Sequence, residues 1–209
     1  MRLDFVAHDA LRDGRAHHYC LRCHREAVRW YTEGGRRLCE CRACGACAER
    51  ALVLDPAVRW WTDSAGEYWH ETAGVFVRDT RGRLLLFDRT AHPFGLTIPA
   101  GHVECRENPD GAAARELREE TGIAGERLER LMRVPVPGDG CRRGADAHLW
   151  HVFRTAAPVE ADLPVELGPE GTTALWLTPD EAREHPLVPA VRRLLDACRD
   201  HLALSPAGG

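Results

Sequence analysis

Residues 101–123 read GHVECRENPDGAAARELREETGI. Gly101 is followed by Glu107, then by Arg115-Glu116, Leu117, Glu119-Glu120, Gly122 and Ile123. Asn108-Pro109-Asp110 offers a helix start, because Asn caps and Pro suits the first turn. Ala112 to Glu120 is rich in strong helix formers, and Thr121-Gly122 supplies the stop. On that helix Glu116, Glu119 and Glu120 stand at i, i+3 and i+4 and share one face. Like charges so placed repel by about 0.2–0.5 kcal/mol per pair. A hard divalent cation removes the repulsion, since Mg²⁺ prefers oxygen ligands and takes carboxylates together with substrate phosphates. The alternative is a solvated acidic face; the fixed glycines, Glu107 and Arg115 weigh against it.

The stretch has the form G-x5-E-x7-R-E-U-x-E-E-x-G-U, with U aliphatic, and resembles the Nudix box at every specified position. That resemblance implies a hydrolase of nucleoside diphosphates linked to another group, on an α/β fold: a Nudix-like α/β/α sandwich with a mixed sheet. It implies Mg²⁺ or Mn²⁺ held by Glu116, Glu119, Glu120 and the carbonyl of Ala100, with one glutamate also handling the attacking water. It gives Gly101, Glu107, Arg115 and Gly122 structural roles, with Glu107 and Arg115 as an ion pair. Subfamilies place the base differently. Glu170, six residues before Trp176, is a catalytic candidate outside the box, as is Glu166, against the alternative of ordinary loop acids.

With 209 residues, 44% hydrophobic and 29% charged, the chain is globular in composition and suits one domain plus an appendage. The net charge of −4 gives no electrostatic case for nucleic acid. Residues 1–65 hold 11 Arg against 9 acids, which is too little excess to change that. Lysine is absent, so no lysine can serve as a base or Schiff base. No apolar run approaches the ~20 residues of a membrane helix. Met1 to Asp9 lacks the apolar core of a signal peptide, so a cytoplasmic location is expected.

Six of the nine cysteines fall between Cys20 and Cys47. In a reducing compartment they suggest metal more than disulfides. Cys20 and Cys23 form one C-x2-C pair; Cys41 with Cys44, and Cys44 with Cys47, are overlapping candidates for the second. Gaps of 17 and 20 residues from Cys23 both suit a zinc ribbon. Four thiolates around a structural Zn²⁺ let so small a segment fold with little core. Gly45 favours a knuckle ending at Cys44. Some Nudix enzymes carry a ribbon whose last cysteine precedes an Asp-Pro, and that points to Cys44 with Cys47, with Cys41 in reserve. Cys20 to His24 also fits haem c attachment, but that chemistry requires export.

The remaining pattern predicts strands over 71–78, 83–87, 96–101, 128–136, 147–154 and 175–177. It predicts a short helix capped by Thr178 and a final one over 188–204. Residues 1–65 are expected to form the zinc-ribbon-like module and connection, and 66–204 the hydrolase domain. Phe94, Trp150 and Trp60-Trp61 are candidates for stacking on a base, and His92, His102, His148 and His151 for lining the pocket. For each, core packing is the alternative. Pro99-Ala100-Gly101 resembles many ADP-ribose pyrophosphatases. Expected substrates are therefore ADP-ribose, a dinucleotide or a nucleotide sugar, releasing a nucleoside monophosphate. The rival is a Nudix-fold ligand sensor whose ribbon binds a partner. A small-molecule nucleotide is the expected ligand; membrane and nucleic acid are disfavoured, and a homodimer is left open.

Overall fold

The structure, a computed structural model, describes residues 3–6 and 13–202. The cysteine-rich part opens with β1 (His17–Tyr19) and continues with β2 (Val28–Glu33), β3 (Arg36–Cys41) and β4 (Cys47–Ala48). β2, β3 and β4 form a three-stranded antiparallel sheet turned at Gly34-Gly35. β5 (Leu52–Leu54) returns to pair with β1, and β6 (Trp60–Thr62) pairs with the strand that follows.

That strand, β7 (Tyr68–Phe76), is the spine of the molecule. A turn leads to β8 (Leu84–Arg89), with Asp79 Oδ1 accepting the backbone N–H groups of Arg81 and Arg83 at 2.9 and 2.8 Å. Next come β9 (Leu96–Thr97), β10 (Ala100–His102), α1 (Pro109–Thr121), β11 (Leu128–Pro137) and β12 (Ala147–Thr155). The chain continues through β13 (Gly171–Leu177), α2 (Pro179–Glu184), α3 (Pro189–Ala197) and α4 (Arg199–Leu202). The main sheet runs β10-β7-β12-β11 and is mixed: β7 lies parallel to β12 and antiparallel to β10. A second sheet runs β13-β8-β9.

Strand alternation assigns the two sides of the core. Val75, Val77, Leu85 and Phe153 pack against Ala112, Ala113 and Leu117 of α1. Phe76, Leu84, Leu86 and Val152 face the opposite way, onto Val191, Leu194 and Leu195 of α3. Helices on both faces make the expected α/β/α sandwich. The helix expected over 188–204 is split: Cys198 interrupts it between α3 and α4, and residues 203–204 lie outside the described residues. Among the described residues no helix is long and apolar enough to cross a membrane.

Candidate active site

The loop entering α1 folds as its residues dictate. The Asn108 side chain accepts the Gly111 N–H at 2.7 Å, satisfying one of the orphan donors of the first turn. At the other end Gly122 takes φ +74, and its N–H reaches the Arg118 carbonyl at 2.9 Å, closing the helix in the left-handed conformation that glycine adopts freely. Arg115 grips Glu107 through Nε and NH2, each at 3.0 Å, and its NH2 also donates to the His102 carbonyl at 3.1 Å. Burial would raise the Glu107 carboxyl, but Arg115 and the backbone N–H of Glu104 hold it below its ordinary value.

The three glutamates of α1 line a cleft of about 300 Å³ together with Ala100 and Gly101. Gly101 lies so close to Glu116 that a β-carbon there would stand 2.0 Å from a carboxylate oxygen. Glu120 Oε2 accepts the Ala100 N–H at 2.7 Å. Burial, with Glu116 nearby, pushes the Glu120 carboxyl up to about 8, and burial also raises Glu116. Glu119 is exposed at the rim, 3.2 Å from Arg115 NH1. Such crowded carboxylates fit a hard divalent cation, which offsets the charge that burial disfavours.

The cleft also has a basic lining. Arg89, Arg142 and Arg143 line it, and Glu170 sits among them, 3.3 Å from Arg142 NH2 and 3.8 Å from Arg89 NH2. Arg89 Nε is buried and has no hydrogen-bond partner among the described residues. The loop 138–146 carrying two of these arginines is held from the cysteine-rich side. Arg50 donates to the carbonyls of Cys141 and Ala145 at 2.9 and 2.7 Å, and the Arg142 guanidinium lies 5.5 Å from the Trp30 ring centroid. Trp150 and His148 enter the cleft from β12, Trp150 with its N–H on Asp139 at 2.7 Å, and His102 enters from β10.

These observations agree with what known proteins share with the chain. The NUDIX domain family matches residues 69–198.

The chain belongs to the NUDIX family.

A "CTP pyrophosphohydrolase" from Escherichia coli (strain K12) is 35% identical over 132 residues, covering 60% of this chain and 89% of that one. An "RNA pyrophosphohydrolase" from Erythrobacter litoralis (strain HTCC2594) is 30% identical over 98 residues, 40% of this chain and 59% of that one. Among solved structures, the E. coli ORF135 protein superposes with a TM-score of 0.54 at 24% identity, covering 70% of this chain and 99% of its own. The family assignment and its hydrolase relatives make this chain a Nudix-type pyrophosphohydrolase.

Several expected NUDIX site residues are brought together and others are not. Glu116, Glu119, Glu120, Ala100 and Glu170 share the cleft; Glu166 is not among its lining residues. Phe94 is covered by the Arg36 guanidinium at 4.2 Å, and Trp60 and Trp61 pack on Tyr68 and Trp69, so none of the three lines the cleft. His92 sits 3.4 Å from Glu49, and the His151 Nε2 N–H donates to Glu71 at 2.6 Å; both lie elsewhere.

The clustered cysteines differ from the expected set by taking in Cys41, the reserve, in place of Cys47. Cys20, Cys23, Cys41 and Cys44 place their sulfurs within 4.8 Å of one another, and Cys47 is not in the group. The Gly45 N–H bonds the Cys41 carbonyl at 2.8 Å, and Gly45 has φ +69, so the tight turn encloses Cys41 and Cys44. The chain then leaves as β4, where Cys47 pairs with Glu40 and is exposed. Gly45 is the sequence signal for that turn.

Sequence reasoning missed His70 and Cys141. Both lie beside His102 and His148, and Cys141 also lines the cleft; elements far apart in the chain bring the four together.

Proposed function

We propose that the chain hydrolyses the anhydride of a nucleoside diphosphate linked to a sugar or another group, releasing a nucleoside monophosphate. The observation that carries this is the mixed lining of the cleft. Three glutamates and Ala100 line it together with Arg89, Arg142 and Arg143, which suits a diphosphate held by both metal and guanidinium groups. Glu116, Glu119, Glu120 and the Ala100 carbonyl would hold Mg²⁺ or Mn²⁺, which when bound neutralises phosphate charge and lowers the pKa of the attacking water. Glu170 accepts the proton from that water as its oxygen attacks phosphorus and the bridging P–O bond breaks. Arg89 and Arg142, within 3.8 Å, hold Glu170 at the mouth. Trp150 reaches the cleft lining but is 6% exposed and packs in the core with Phe76 and Val152, so it braces the cleft more than it stacks on a base.

Cys20, Cys23, Cys41 and Cys44 would hold a structural Zn²⁺, a donor set and spacing that fit a closed tetrahedral site. We take residues 1–65 as this appended module and 66–204 as the hydrolase domain; the pairing of β6 with β7 forms the seam.

The test is a Mg²⁺ and Mn²⁺ screen against ADP-ribose, NADH, nucleotide sugars and nucleoside triphosphates, with phosphorus NMR of the products. A nucleoside monophosphate from a linked diphosphate is the expected result. The similarity to a protein named a CTP pyrophosphohydrolase favours a second reading. Pyrophosphate from a nucleoside triphosphate, with linked diphosphates untouched, would establish it in place of the first.

A further inference from the structure

We propose that His70, His102, Cys141 and His148 form a second metal site, closed and of the one-thiolate, three-imidazole type, that takes Zn²⁺. It is distinct from both the box glutamates and the four-cysteine knuckle. Each residue turns one ligand atom to a common point, and these atoms lie within 4.8 Å of one another. Zn–S and Zn–N bonds of about 2.3 and 2.0 Å set tetrahedral donors about 3.3–3.6 Å apart, so a small contraction closes the site. His70 and His148 are 0% and 4% exposed, and Cys141 is 9% exposed. A polar group so deep is costly unless it is satisfied.

The hydrogen bonds behind the rings decide which nitrogens face inward. The Tyr68 hydroxyl gives its proton to the Val53 carbonyl at 2.9 Å, so it can only accept from His70 Nε2, at 2.8 Å. His70 Nδ1 is left with a lone pair, 3.7 Å from Cys141 Sγ. On the other side, His148 Nδ1 donates to the Asp139 carbonyl at 2.7 Å and lies 3.2 Å from its carboxylate, which leaves the Nε2 lone pair facing the cluster. Acceptors that fix the outer nitrogen are the usual support of a metal-bound histidine. The His102 ring completes the set, 4.5 Å from His70 and 5.6 Å from His148 between centroids. A metal-bound imidazole has to be neutral, so binding at this cluster releases any proton the rings carry. One soft thiolate with three imidazoles favours zinc over Mg²⁺ or Ca²⁺.

The site joins four pieces of chain: β7, β10, β12 and the loop 138–146. His102 adjoins Gly101, and Cys141 adjoins Arg142. An ion held there would tie the strand beside Gly101 to the loop that carries Arg142, as a structural brace separate from the box glutamates.

The full chain, grown with zinc and passed over a chelating resin, should hold two zinc ions by elemental analysis. Cys141→Ser and His148→Ala should each hold one, and Cys44→Ser should lose the other. The same protein loaded with ¹¹³Cd should give two resonances: one strongly deshielded from four sulfurs, and one well upfield from a single sulfur with nitrogens. The cadmium spectrum needs no variant and holds even where a substitution unfolds the chain. One zinc per wild-type chain with a lone four-sulfur cadmium resonance would overturn the proposal, as would two zinc ions kept in full by folded Cys141→Ser and His148→Ala.

Discussion

Arg115 clasps Glu107 through two parallel hydrogen bonds of 3.0 Å, tying the loop before α1 to the middle of that helix. The same guanidinium reaches Glu116 at 2.6 Å, so the clasp also sets the position of a carboxylate in the cleft.

Removing one partner should therefore affect both stability and chemistry. Glu107→Ala removes two of the hydrogen bonds of Arg115, which is 21% exposed, and is expected to cost about 1.5–3 kcal/mol, the range for hydrogen bonds to charged groups. Urea denaturation reads the loss, and kcat should fall with it.

Glu120→Gln keeps the shape of the side chain and removes its charge. Turnover should drop by about 10²–10³-fold or more, the scale of losing one charge-stabilising group. Circular dichroism should remain unchanged, and retained activity would remove Glu120 from the proposed metal set.

Gly101→Ala puts a methyl group 2.0 Å from a Glu116 oxygen. Glu116 has to move, so kcat should fall sharply while the fold, judged by thermal melting, changes far less. Ala100→Gly is the control and should stay active.

The knuckle assignment predicts an asymmetry between neighbouring cysteines. Cys41→Ser should release one zinc ion on elemental analysis; Cys47→Ser, altering an exposed strand residue, should release none.

The pH dependence of stability should carry the signature of His17. Asp13 at 3.0 Å raises its pKa above the ordinary 6.5, with help from Glu26 at 2.8 Å and against the opposing effect of burial. A raised folded-state pKa stabilises fully below the unfolded value and is lost as pH climbs through the folded one. Thermal stability should thus decline as pH rises above about 6.5, and His17→Gln should flatten that slope.

The parts legible in the sequence were those whose causes are local. Asn108 and Gly122 mark the ends of α1 because capping chemistry acts within three or four residues. His148, Trp150 and Val152 lie on one side of β12 because strand alternation has a fixed period. The turn at Gly45 selects Cys41 over Cys47, and that turn is a local signal of the same kind. The break at Cys198 leaves no mark a periodic pattern could carry. His70, His102, Cys141 and His148 meet only because β7 is sandwiched between β10 and β12, and no spacing along the chain encodes that. Arg89 and Arg142 were missed for the same reason.

The grip of Arg50 on the Cys141 and Ala145 carbonyls, and the stacking of Arg142 toward Trp30, have a practical bearing on cutting this protein down. The family match begins at residue 69, yet both anchors come from before it. A fragment trimmed to the matched region would keep every box residue and lose the scaffolding behind its basic lining. The basic lining of the cleft is thus open to tuning from a segment that lies outside the box altogether.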